Sequence, residues 1–140
     1  MPPIYDDLGV RFMYPENWQL TQEQSSHLPY EISLQTPGGG FWSLHIYDNL
    51  SDPQQLVEET LVTMRQEYHD LESEPIDAET QMVGYEMNFY CLDRVVTARA
   101  IAFHHGDRTC LVLYQAESSE FDKMDQVFQA VTLSLLRSDL

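Results

Sequence analysis

The sequence predicts an α+β domain: an antiparallel β-sheet meander with two main helices packed on it. Three observations carry this. Period-two alternation recurs in short runs, as in YEISLQT and FWSLHIY. Two-residue polar turns separate the longer runs, which marks hairpins rather than crossover connections. Only two stretches show the 3.6-residue apolar stripe of an amphipathic helix. Runs of hairpin strands with few helices give antiparallel α+β architecture.

In chain order, Asp7, Leu8 and Gly9 predict a turn, followed by a short strand over 10–14 that Pro15 and Asn17 break. An extended run resumes over 18–20, and the polar residues 21–27 read as a loop. Tyr30, Ile32 and Leu34 then alternate with Glu31, Ser33 and Gln35, and Trp42, Leu44 and Ile46 alternate with Phe41, Ser43, His45 and Tyr47. Between these strands lies TPGGG. A phosphate cradle needs a glycine loop that opens a helix, commonly with a lysine. Strands flank this one and no lysine is near, so it predicts a hairpin loop with a type II turn at Pro37-Gly38.

A helix follows. Ser51 and Asp52 suit its cap, Pro53 its first turn, and Gln55 stands three residues after Asp52. Leu56, Val57, Leu61, Met64 and Tyr68 form its stripe, and Glu58 and Glu59 are read as favouring the helix dipole. Residues 71–76 predict a short strand. Longer strands cover 81–92, 95–105 and 109–117, joined by tight turns at Asp93-Arg94 and Gly106-Asp107. The last helix starts at Ser118/Ser119 and presents Phe121, Met124, Val127, Phe128, Val131 and Leu135.

A turn at Asp93-Arg94 places Phe89 opposite Ala98, Met87 opposite Ala100 and Tyr85 opposite Ala102, a face on which a helix can lie. The other face carries Glu86, Asn88, Arg99, Ile101, Phe103, Val112 and Tyr114. It is too apolar for plain solvated surface, so a helix, a loop or a partner covers it. Tyr47, Tyr90 and Tyr114, with Phe41, His45 and Arg99, are assigned to this second face as candidate binding residues.

The 140 residues fit one domain, 1–140, and the 43% apolar share supports a core. With 23 acidic and 7 basic side chains the net charge is -16. Such a surface disfavours nucleic acid and anionic lipid and attracts a basic protein or peptide. MPPIYDDLGV has neither the basic start nor the apolar run of a secretory signal, which predicts a cytoplasmic setting.

Catalytic chemistry finds little support. His104 and His105 are adjacent on a strand and point to opposite faces, so one ion would need His45 or a carboxylate from elsewhere. No Gly-x-Ser-x-Gly elbow is present. Cys91 and Cys110 sit in apolar strands on opposite faces, which suits buried thiols rather than a nucleophile or a disulfide. Neither a metal nor a cofactor is expected. The favoured reading is a non-enzymatic protein- or peptide-binding domain, with a second copy of the chain as another partner. The alternatives are a small-molecule or metal-dependent enzyme using His45, His104 and Asp107, and a plain structural domain.

The opening LGVRFMYPENW, a strand, Tyr-Pro, a polar turn and Trp, resembles the start of PsbP-like domains. The later order is similar too: paired strands, a helix after Asp-Pro, a meander, and a closing helix ending in TLSLL. The resemblance implies a fold shared with the extrinsic photosystem II subunit, the yeast Ran nucleotide-release factor and bacterial chaperones for type VI secretion effectors. It implies protein binding without catalysis. No family binding motif is matched, so no functional residue carries over, and the lack of a transit segment argues against a photosystem role.

Overall fold

The computed structural model describes residues 2–22, 30–76 and 82–137. The chain opens with a hairpin that the sequence only half discloses. Strand β1 (Ile4–Asp7), unforeseen, pairs with β2 (Val10–Met13), and the turn is the dipeptide Leu8-Gly9 with φ of 54° and 78°. Positive φ at both centres is the twist-matched hairpin geometry. A Cβ at Gly9 would also meet the Arg108 guanidinium.

The main sheet has seven strands in the order β3-β4-β5-β9-β8-β7-β6, every pairing antiparallel. Its strands are β3 (Gln19–Gln22), β4 (Tyr30–Gln35), β5 (Phe41–Tyr47), β6 (Glu72–Pro75), β7 (Val83–Cys91), β8 (Arg94–His105) and β9 (Arg108–Glu117). The expected loop over 21–27 falls partly on β3, and its residues 23–27 lie outside the described ones. Two local meanders meet where β5 pairs with β9, a contact between residues 62 to 74 positions apart that no local pattern announces.

The glycine loop is a hairpin connection. Thr36 N–H donates to Gly40 O at 2.9 Å, and Gly40 N–H to the Thr36 hydroxyl at 2.9 Å. The positive φ, 91°, falls on Gly39 and not on Gly38, so the expected type II turn is not formed. The Glu120 carboxyl lies over Gly38, which sets an anion where a phosphate would have to sit.

The β7–β8 turn is Leu92-Asp93, one residue earlier than the sequence suggests. The register therefore shifts by two: Met87 opposes Ala98, Tyr85 opposes Ala100, and Glu86 opposes Arg99. An even shift leaves every side chain on its predicted face.

Helix α1 (Pro53–Glu67) is capped by Asp52, which accepts from Gln54 N–H at 3.0 Å. Its first turn holds no acid; Glu58 and Glu59 instead accept from Gln54 and Gln55 one turn earlier, so the expected dipole contribution and capping-box glutamine are not realised. Val57 and Leu61 are buried against β7, β8 and β9, where Ala98, Ala100 and Ala102 allow close approach. Helix α2 (Ser118–Arg137) covers the opposite face together with β1 and β2. Phe121, Phe128, Val131 and Leu135 are buried there with Trp18, Trp42, Leu44, Ile46 and Val112. The two helices thus clamp β8 and β9 from both sides. Fully burying such large apolar side chains stabilises by about 2 kcal/mol each. No described helix is long and apolar enough to cross a membrane.

Candidate binding face

The six candidate residues do not share one face. β5 pairs with β9 so that Trp42 opposes Tyr114 and Tyr47 opposes Thr109. Even-numbered β5 residues therefore share the α2 side with Tyr114, while Phe41, His45 and Tyr47 fall on the α1 side. Parity within a hairpin is legible in a sequence; parity between β5 and β9 depends on a long-range register.

On the α2 side, the aromatic surplus is core. Tyr114 is 1% exposed and stacks on Phe128 and Phe121, with ring centroids at 4.8 and 6.0 Å. Arg99 holds the helix to the sheet. Its guanidinium donates to Glu86 at 2.8 Å and Asp125 at 2.6 Å, and lies 5.2 Å from the centre of the Phe121 ring. Burial works against its charge, but the Tyr114 hydroxyl and the two carboxylates outweigh that and raise its pKa above the ordinary arginine value. Burial raises the Tyr114 phenol as well, against the pull of Arg99. Arg99 and Tyr114 therefore belong to packing of α2. Tyr90 is on this side but at the hairpin tip, 60% exposed and away from the others.

The α1 side differs along its length. α1 runs over β7, β8 and β9 and, among the described elements, no helix packs over β3 and β4. On this side the cross-strand rows are Gln35, Phe41 and Gln115; then Ser33, Ser43 and Leu113; then Glu31, His45 and Leu111, of which the β9 members border α1 and Leu111 and Ser43 are buried. Phe41, His45, Tyr47 and Leu113 are half-buried. Glu31 approaches His45 Nε2 at 3.6 Å, while His45 Nδ1 is buried without a partner. A buried ring nitrogen left unpaired costs free energy. Tyr47 reaches the edge of α1, where burial first and the Glu59 carboxylate second raise its phenol pKa. Ser43 donates to Leu113 O at 3.2 Å and fixes the floor.

This face combines aromatic bodies and an acidic rim. Leu113 and Glu31 escape sequence reasoning because they join the patch only through the β4–β5–β9 register. His45, His104 and Asp107 form no ligand cluster. His104 Nε2 is spent on Ser51 O at 2.7 Å, and among the described residues no three His, Cys, Asp or Glu side chains could hold a metal ion. Both cysteines are free; Cys110 is buried on the α2 side, and burial pushes its thiol up to about 11.

By sequence the chain matches no protein-family model and no curated protein. By structure it is similar to cyanobacterial PsbP from Synechocystis sp. PCC 6803, with a TM-score of 0.59 at 14% identity over 94% of this chain and 89% of that one. It is also similar to PA94, a protein of unknown function from Pseudomonas aeruginosa, with a TM-score of 0.53 at 9% identity over 91% of each chain. The seven-stranded antiparallel sheet with its two helices is the PsbP-like fold.

Proposed function

We propose that the protein is a non-catalytic binding domain that takes a protein or peptide segment on the half of its sheet that no described helix covers, at Phe41, His45 and Tyr47 of β5, with Leu113 of β9 at the border with α1. One observation carries this reading: α1 covers β7 to β9, and beside it Phe41, His45 and Tyr47 of β5 stand half-exposed with no described helix over them. The net charge of -16 and Glu31 at the rim select a basic partner. The two free thiols suit the reducing cytoplasm.

The test is retention of a natively co-purified protein by the wild type and by a Phe41→Ser/Tyr47→Ser double variant. The wild type keeps the partner at low salt and releases it at high salt, because exposed charge pairs are screened. The double variant loses it at both while its circular dichroism is unchanged. A partner held equally by both proteins would refute this face as the binding site.

A further inference from the structure

Eight large apolar side chains are exposed among the described residues, and six of them gather in two places. Tyr90, Leu92 and Val95 form one group at the tip of the β7–β8 hairpin. Ile4, Met13 and Leu133 form the other, around a cleft of about 400 Å³ between the β1–β2 hairpin and the end of α2.

The tip is built against local preference. Leu92 is 91% exposed and has a φ of 52°, in the left-handed region where a bulky side chain is strained. At that exposure its side chain gains little from burial, and Asn or Gly would sit there more easily. Asp93, also exposed, sets a carboxylate next to Leu92.

The cleft is complementary in both respects. Ile4, Phe12, Met13 and Leu133 line it, and Arg11 and Arg137 add two guanidiniums. Arg94 and Arg99 are in ion pairs, whereas Arg11 and Arg137 have none among the described residues. In a chain of net charge -16 these two guanidiniums, neither ion-paired among the described residues, together mark a place for a carboxylate beside an apolar side chain.

The two features lie at opposite poles. α2 begins beside the tip, where the Ser118 hydroxyl meets that of Thr97 at 2.8 Å, and ends at Arg137 in the cleft. Its 20 residues span about 30 Å. A tip cannot reach its own cleft, so the complementarity is between molecules. We propose that Leu92 and Asp93 of one copy seat in the cleft of the next, with the carboxylate against Arg11 and Arg137, and that the protein associates head to tail. Such a contact is heterologous and grows beyond a dimer.

Light-scattering mass across a concentration series tests this. The wild type rises from 16.3 kDa through multiples of that mass. Leu92→Asp and the double variant Arg11→Glu/Arg137→Glu each stay monomeric, since all three side chains are exposed and none supports the core. Mixed together, the two form a 1:1 complex and nothing larger, because the first keeps its cleft and the second its tip. A wild type that stays monomeric to millimolar concentration, variants that associate like the wild type, or a mixture that does not pair would each overturn the proposal.

Discussion

At the scale of single residues, the structure separates side chains that look alike in the sequence. Tyr114, Tyr47 and Tyr90 are all strand tyrosines, yet one is core, one is half-open and one is at a tip. Arg99 is the charged residue on which α2 depends. Replacing it with Leu leaves Glu86 and Asp125 together without a cation, and we expect a loss of about 2–3 kcal/mol in chemical denaturation. Thr132→Val leaves the Trp42 indole N–H, which now donates to the Thr132 hydroxyl at 3.0 Å, without an acceptor. That costs about 1–3 kcal/mol in the same measurement. Leu92→Asn moves the other way, raising stability by about 1 kcal/mol as the left-handed strain is relieved.

Individual elements were legible where their signals were local. The helix over Pro53–Glu67 announces itself through Asp52, Pro53 and a clear stripe, and the Gly106-Asp107 turn falls where predicted. β1 escaped because four residues with two acids carry too little alternation. The β7–β8 turn was misplaced by one residue because Leu92 is a poor turn former, and nothing in its chemistry signals a positive φ. The glycine loop shows how neighbouring glycines differ in role. Gly39→Ala meets nothing within 4 Å, so its cost, about 1 kcal/mol, comes only from the φ of 91°. Gly40→Ala has an ordinary φ, but its Cβ would come within 2.9 Å of Gln115 O and force β9 away from the loop. Comparing the melting temperatures of the two variants separates conformational from steric cost.

For the whole molecule, the fold class was readable and the shape of the proposed binding face was not. Composition and periodicity give a meander with two helices; which side of β5 is open depends on its pairing with β9, set by tertiary contacts alone. The closed half of the sheet also predicts an alkaline limit. The folded-state pKa of Cys110 lies at about 11, above its ordinary value of 9.0. Its stability contribution is therefore complete below pH 9 and is lost as pH rises to 11, by up to about 3 kcal/mol. The unfolding midpoint should fall across that window in the wild type and fall less in Cys110→Ala. The central claim, that the uncovered β4–β5 face receives a partner chain, is tested most directly by photo-crosslinking from single positions in the native cell. An amino acid carrying the crosslinker at Phe41 or Tyr47 should capture the same protein, and one at Val62, exposed on α1, should not. Capture from Val62 but from neither Phe41 nor Tyr47 would place the partner elsewhere and contradict the account.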